Sequence, residues 1–186
     1  MKKALRYTLV VLVVLAAVLT GAGYYMVDYA LKPEGLVTRS RDIPSSLEYM
    51  HQTYPEVGNW IDSLQSVQAL RDLYIENEEG TKLHALYVPA ADSTGRTAVI
   101  VHGYTDNAVR MLMIGYLYSR RLGYNILLPD LYGHGMSEGT EVQMGWKDRL
   151  DVLRWTEEAN RLFGNHTQMV VHGISMGAAT NMCVVG

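Results

Sequence analysis

The chain has 186 residues, of which 48% are hydrophobic and 19% charged, and these values exclude a disordered tail or a collagen-like repeat. The formal net charge of -3 provides no basic surface for nucleic acid and argues against a polybasic protein of the membrane surface. Cys183 is the only cysteine, which excludes an intrachain disulfide, and its apolar surroundings predict a buried, unreactive thiol.

The first 27 residues predict a membrane-spanning helix. Lys2, Lys3 and Arg6 precede residues 7–27, which carry no charge. At ~1.5 Å per residue this stretch spans about 30 Å as a helix, the thickness of a bilayer core. We expect an uncleaved signal anchor. A signal peptide cleaved after the small residues near position 21 is the alternative, and it would leave a secreted or periplasmic protein.

The charges that flank the apolar stretch predict its orientation. The basic N-terminus is expected to stay inside, so the catalytic part would be exported and extracytoplasmic. Lys32, Arg39 and Arg41 lie on the other side and weaken this charge bias.

Two segments separate the apolar stretch from the main domain. Residues 28–44 predict a linker, because they contain proline, glycine and mixed charges without hydrophobic periodicity. Residues 45–70 predict a helical collar of one or two short helices, in which apolar residues recur at helical spacing and Pro55 and Gly58 act as breaks.

Residues 71–186 predict the N-terminal part of an α/β domain. Helices are expected at 107–123, with Asp106 or Asn107 as cap and Gly123 as stop, and at 144–164. The second helix is expected to turn inward the side chains of Trp146, Leu150, Leu153 and Leu162. Strands that alternate with helices predict a mostly parallel sheet with helices on both faces. The predicted strands are LRDLYIENEEG, TKLHALYVPA, TAVIVHG, YNILLPD and QMVVHG.

The strongest chemical motif is Gly173-Ile174-Ser175-Met176-Gly177, with the spacing G-x-S-x-G. It follows an apolar strand and opens a helix of small residues. A sharp turn from strand to helix requires small residues on both sides of the serine, which Gly173 and Gly177 provide. The motif predicts that Ser175 is a nucleophile at a helix N-terminus, where developing negative charge is favoured.

The segment VHGYTDN, after the third predicted strand, supplies the expected oxyanion hole. An acyl-transfer enzyme needs two backbone donors aimed at the oxyanion. We expect one from the amide of Met176 and the other from the amide of Tyr104, with Gly103 allowing close approach. His102 in the same loop is expected to make a structural hydrogen bond.

The segment PDLYGHGMSEG contains Asp130, His134 and Ser137, which together resemble a second triad. Short polar residues and glycines in a loop are usually turn formers, so we assign these three residues structural roles. His166 and His172 are expected to be structural as well. No histidine pair has metal-ligand spacing with a third ligand nearby, so no metal site is predicted.

In order and spacing, these three motifs resemble those of the α/β-hydrolase superfamily. More narrowly, residues 45–186 are similar to exported, signal-anchored bacterial hydrolases related to serine aminopeptidases, lysophospholipases and monoglyceride lipases. The resemblance implies a serine nucleophile at Ser175, oxyanion amides at Tyr104 and Met176, and no cofactor. The substrate would be a small acyl ester or, as second choice, a peptide.

The resemblance also raises the question of the catalytic base. In the superfamily an acid and then a histidine follow the serine along the chain, but the eleven residues after Ser175 include no His, Asp or Glu. We expect a C-terminally truncated chain with about five of about eight strands, inactive by itself. A rearranged site with His102 or His134 as base is one alternative, and a membrane-anchored, non-catalytic remnant or binding module is another.

Overall fold

A computed structural model of the protein describes residues 2–32 and 38–185. The middle of the predicted linker, residues 33–37, lies outside the described residues. The α-helices are α1 Lys2–Leu31, α2 Thr38–Arg41, α3 Ile43–Thr53, α4 Pro55–Ser66, α5 Leu112–Tyr116, α6 Asp148–Phe163 and α7 Met176–Val185, and a π-helix, Leu117–Arg121, continues α5. The strands are β1 Arg71–Glu76, β2 Lys82–Val88, β3 Arg96–Val101, β4 Asn125–Pro129 and β5 Gln168–Gly173.

The five strands form one mixed sheet in the order β1-β2-β4-β3-β5. Strand β2 is antiparallel to both β1 and β4, whereas β3 is parallel to β4 and to β5. The carboxyl ends of the three parallel strands therefore meet at one edge of the sheet, and the loops that carry the predicted motifs begin there. Helices cover both faces, as predicted.

Alternation along β3 divides the core into two layers. Ala98 and Ile100 face α3, α4 and α5, whereas Val99 and Val101 face α6 and α7. All four are completely buried. Because each face of the sheet is packed against helices, the parallel strands read as continuous apolar runs rather than as alternating ones.

The predicted inward face of the helix near 144–164 is wrong at three of its four residues, whereas the fourth, Leu162, packs against the core. Trp146, Leu150 and Leu153 are 66%, 48% and 39% exposed. The buried face of α6 instead carries Trp155 and Ala159, one turn apart and both fully buried. The large Trp155 side chain fixes which side of the helix faces the sheet, and two acidic residues of the first turns share that side.

Three smaller predictions also need correction. Cys183 is exposed and is not among the buried residues of α7, which are Met176, Gly177, Thr180 and Asn181. Gly58 lies inside α4 instead of ending a helix, and a Cβ there would collide with His51. Helix α5 begins only at Leu112; before it, the side-chain oxygen Oδ1 of Asn107 accepts the amide of Arg110.

Candidate active site

Ser175 occupies the turn between β5 and α7. Its φ is +53°, in the left-handed region that non-glycine residues rarely adopt. Its carbonyl oxygen accepts the amides of Ala178 and Ala179 at 3.0 and 3.1 Å, so it lies just before the first turn of α7. The Ser175 residue itself is exposed. A strained backbone that presents an exposed hydroxyl at a helix N-terminus is the local geometry that a nucleophile requires.

The two glycines of the motif are required sterically. A Cβ on Gly173 would collide with the carbonyl group of Gly177, and a Cβ on Gly177 would collide with the carbonyl oxygen of Val101 at the end of β3. The first turn of α7 therefore lies directly against the neighbouring strand. Substitution at either glycine would move Ser175 away from β3.

The loop after β3 lies beside Ser175. A Cβ built on Gly103 would be 3.3 Å from the Cβ of Ser175 and 3.1 Å from the carbonyl oxygen of Ile174. The structure thus brings the predicted oxyanion loop, residues 103–104, against the predicted nucleophile. Met176 is the first residue of α7, where an amide has no intrahelical acceptor. In the described part of the chain, no oxygen accepts the Tyr104 amide.

His102 has the structural role expected from the sequence. Its Nδ1 donates to the carbonyl oxygen of Gly103 at 2.7 Å, and its Nε2 accepts the amide of Leu131 at 2.9 Å. These two bonds require the neutral ring with the proton on Nδ1. Complete burial lowers the pKa of His102, which favours the same neutral form. With both nitrogens occupied, His102 is not available as a base for Ser175.

The loop after β4 is likewise a framework and not a second triad. The Asp130 carboxylate accepts the amides of Ala108 and Met136, at 2.7 and 3.0 Å, and does not contact His134. Ser137 donates its hydroxyl to the Asp130 carbonyl oxygen at 2.7 Å. Burial, together with the nearby His102 ring, lowers the pKa of His134 to about 3. His134 is therefore neutral and inaccessible.

The sequence analysis missed the partner of Asp130. His84, on β2, contacts the Asp130 carboxylate through Nδ1 at 2.6 Å and the exposed Asp72 carboxylate through Nε2 at 2.9 Å. Burial lowers the pKa of His84, but the two carboxylates outweigh it and leave the pKa above its ordinary value. The only sequence signal was a histidine inside an otherwise apolar strand.

No base reaches Ser175 within residues 2–32 and 38–185, where its hydroxyl makes no hydrogen bond. The nearest histidine in sequence, His172, contacts the Tyr118 hydroxyl through Nδ1 at 3.2 Å. The described residues also contain no cluster of His, Cys, Asp or Glu suited to a metal ion. The site as described thus comprises a nucleophile candidate and two candidate oxyanion amides.

Comparison with known sequences gives distant relatives. No protein-family model matches the chain. The uncharacterized protein YqkD of Bacillus subtilis (strain 168) is 30% identical over 100 residues, which cover 54% of this chain and 32% of YqkD. The uncharacterized protein YfhR of Escherichia coli (strain K12) is 27% identical over 118 residues, or 59% of this chain and 39% of YfhR. The chain thus spans between a third and two fifths of these relatives.

Comparison with solved structures gives a consistent set of neighbours. An esterase of Pyrococcus furiosus has a TM-score of 0.56 at 24% identity, covering 66% of this chain and 47% of the esterase. Est1E of Butyrivibrio proteoclasticus, solved with ferulic acid bound, has a TM-score of 0.54 at 27% identity, covering 61% and 46%. An alpha-beta serine hydrolase homologue of Coxiella burnetii has a TM-score of 0.53 at 16% identity, covering 62% and 56%.

Proposed function

Because the chain has the α/β-hydrolase fold, as its motifs predicted, we propose that Ser175 is the nucleophile of a serine hydrolase that acts on an acyl ester. The observation that carries the proposal is the geometry of the turn. Ser175 is exposed at a strained φ of +53°, and the Gly103 loop lies against it. The esterases among the structural neighbours favour an ester over a peptide bond as substrate.

The proposed chemistry divides between the hydroxyl and two backbone amides. The Ser175 oxygen attacks the ester carbonyl while a histidine accepts its proton, and the histidine returns this proton to the alcohol that leaves as the acyl group is transferred to the serine. Water then hydrolyses the acyl-serine, which releases the carboxylic acid and restores the hydroxyl. The amides of Tyr104 and Met176 donate to the oxyanion that develops on the former carbonyl oxygen. Each such donor contributes on the order of 3 kcal/mol to transition-state stabilisation. The chemistry needs no cofactor.

The histidine in this scheme is not supplied by the described residues. His102 and His134 are buried, neutral and bonded to the protein backbone. In the resembling superfamily the acid and the histidine follow the serine in chain order. We therefore expect the 186-residue chain by itself to turn over esters poorly, and a form extended beyond Gly186 with such residues to be active.

A fluorophosphonate probe, which reacts with activated serines, tests the proposal. We expect labelling of an extended chain, loss of labelling in Ser175→Ala, and full labelling in Ser66→Ala, which removes an exposed hydroxyl on α4. Labelling that survives Ser175→Ala would contradict the assignment.

The second candidate function is a non-catalytic, membrane-anchored binding module, favoured by the lack of a base near Ser175 among the residues that the structure describes. It predicts no labelling in either form of the chain.

We also propose that α1 is retained as a membrane anchor. The most apolar 18-residue window within residues 3–31 has a mean hydropathy of 2.2, and none of that window is buried against the protein. The last residues of α1 contact the domain: the carbonyl oxygen of Leu31 accepts the amide of Val142 at 2.7 Å. Such docking supports an anchor over a cleaved signal peptide.

The single, exposed Cys183 tests the proposed export of the domain. A membrane-impermeant maleimide should label it in cells whose outer barrier is opened but whose inner membrane is intact. The variant Cys183→Ser, which has no thiol, is the negative control for labelling. Labelling only after lysis of the inner membrane would place the domain on the cytoplasmic side.

A further inference from the structure

We propose that an exposed surface of the loop before α6 rests on the bilayer that α1 spans, so that the sheet edge carrying Ser175 faces the membrane. We define this surface, the bilayer-facing loop, by Met144, Trp146 and Lys147 before α6 together with Arg149 in its first turn. The inference rests on the membrane anchor proposed above. It does not depend on catalysis by Ser175.

The end of α1 fixes where the membrane lies relative to the sheet. The carbonyl oxygen of Ala30 accepts the Tyr104 hydroxyl at 2.6 Å, and that of Leu31 accepts the Val142 amide at 2.7 Å. Tyr104 belongs to the loop after β3, and Val142 to the segment between β4 and α6. The anchor therefore joins the domain at the same edge at which Ser175 lies, and not at the opposite edge.

The distance between this junction and the bilayer is short. The uncharged stretch of α1 ends at Val27, and an ion pair of 2.7 Å between Asp28 and Lys32 marks its polar end. At ~1.5 Å per residue, Ala30 lies about 4.5 Å beyond Val27 along the helix. Tyr104, which contacts Ala30, is therefore held within about one helical turn of the end of the apolar stretch.

The bilayer-facing loop has the composition of a membrane interface. It begins two residues after Val142, whose amide binds the carbonyl oxygen of Leu31. Its Met144 and Trp146 side chains are 58% and 66% exposed. Tryptophan is enriched where protein meets the headgroup region. The Arg149 guanidinium lies 3.8 Å from the centre of the Trp146 ring, and Lys147 is exposed beside it. These two cations complement anionic lipid headgroups.

Aromatic residues of α1 lie near the end of the helix that contacts Tyr104. Tyr25 and Tyr29 are exposed and stack at a centroid distance of 6.4 Å. Tyrosine has the same interfacial preference as tryptophan. Glu141 is exposed at the start of the segment, whereas Asp148, which lies between Lys147 and Arg149 in the chain, is buried. The exposed aromatic and basic groups outnumber the exposed Glu141, so a lipid surface is the occupant that fits.

Trp146 reports on this arrangement directly, because the other tryptophans, Trp60 and Trp155, are 8% and 0% exposed. The full chain is reconstituted in vesicles of phosphatidylcholine that contain ~20% of the anionic lipid phosphatidylglycerol. A lipid brominated near its headgroup then quenches nearby tryptophans. We expect the emission of Trp146, obtained by subtracting that of Trp146→Phe, to be lost on adding the brominated lipid.

The matched control places a tryptophan at the opposite edge of the sheet. Leu122 is 52% exposed, and its carbonyl oxygen accepts a bond from Arg96, the first residue of β3. In the double variant Trp146→Phe, Leu122→Trp, the new tryptophan should keep its emission.

Unquenched emission at Trp146, or equal quenching at positions 146 and 122, would overturn the proposed orientation. A chain that does not stay with the vesicles would overturn the anchor as well. Fluorophosphonate labelling is scored separately, so failure of the serine hydrolase proposal would leave the quenching result unaffected.

Discussion

The loops after β3 and β4 that meet at Asp130, and the helices α6 and α7 that pack together beside the turn after β5, satisfy their buried polar groups differently. In the first region, the Asp130 carboxylate contacts three partners: the amides of Ala108 and Met136 and the ring of His84. In the second, one oxygen of Asp148 accepts the Gly145 amide and the other has no partner among the described residues. Completely bonded networks rigidify a structure, whereas partly bonded ones do not.

Other groups follow the same division. Both polar side-chain atoms of Asn181 on α7 and the indole nitrogen of Trp155 on α6 are buried without a partner in the described part of the chain. In the loops around Asp130, His134 Nε2 is an exception, because it is also buried without a partner among the described residues. The comparison indicates that the loops around Asp130 form a rigid support, while the exposed hydroxyl of Ser175 directly precedes α7, which belongs to the less well bonded pair of helices α6 and α7.

The largest expected effect comes from removing the centre of the support. Asp130→Ala would leave His84 and two amides without their buried acceptor. Breaking a buried, charged hydrogen-bond pair costs about 3–5 kcal/mol of unfolding free energy. Urea unfolding of the detergent-solubilised chain measures this loss. The control is Asp72→Ala, because Asp72 binds the same His84 from the surface, with its side chain 59% exposed.

An exposed partner of this kind contributes at most about 1 kcal/mol. If Asp72→Ala and Asp130→Ala cost the same, the buried network is not what holds these loops, and the contrast between the two regions disappears.

The next effect concerns contact between the two regions. Gly177→Ala would force a Cβ into the Val101 carbonyl oxygen, which is backbone and cannot rotate away. Overpacking of this kind costs about 1–3 kcal/mol, and here it would also displace Ser175. We expect lower stability and loss of fluorophosphonate labelling of the active form. Gly95→Ala is the control, because no atom lies within 4 Å of its Cβ position; equal behaviour of the two variants would contradict the close packing of α7 on β3.

These residues also show what the sequence could and could not predict. The turn at Ser175 was predictable because a sharp turn from strand to helix has no room for side chains on either side of the serine, and the sequence has glycine at both positions. The same holds for the strands, whose buried faces leave continuous apolar runs. The pairing of His84 with Asp130 was not predictable, because the two are 46 positions apart and become partners only through the pairing of β2 with β4.

The prediction of which face of α6 points inward failed for a related reason. Apolar periodicity favoured Leu150 and Leu153, but the fit of Trp155 against the sheet decided the rotation of the helix. That rotation buried Asp148 and Asp151, which no hydrophobic pattern would place inside. The contact of α1 with Tyr104 was equally hidden, because it joins a backbone carbonyl to a side chain 74 positions away.

The buried acid of the less well bonded region predicts a dependence on pH. Burial raises the pKa of Asp148 to about 6 from its ordinary value of 3.8. The folded state therefore binds a proton between pH 6 and 4 that the unfolded state does not, so stability rises as the pH falls through this window. The shift corresponds to at most about 3 kcal/mol, at about 1.4 kcal/mol per pKa unit.

Asp148→Asn tests this dependence, since the amide oxygen can still accept the Gly145 amide. We expect the variant to be more stable than the unmodified chain at pH 7 and equal to it near pH 4, in urea unfolding at both values. Asp151, whose pKa burial also raises to about 6, and His84 retain their own contributions, so the difference between the two chains isolates Asp148. A variant that is less stable at pH 7 would mean that the charged form of Asp148 stabilises the loop.

The smallest effect concerns Ser175 itself. A non-glycine residue in the left-handed region costs roughly 1–2 kcal/mol, and glycine avoids this cost at a loss of about 0.5–1 kcal/mol in chain entropy. Ser175→Gly should therefore be about 0.5–1 kcal/mol more stable than Ser175→Ala, which keeps the strained φ of +53°. Both variants lack the hydroxyl, so neither should react with the fluorophosphonate probe. Urea unfolding of the two variants, measured side by side, isolates the backbone contribution. If alanine proved as stable as glycine, the turn after β5 would hold no strain, and the exposed serine would owe its position to packing against Gly103 and β3 alone.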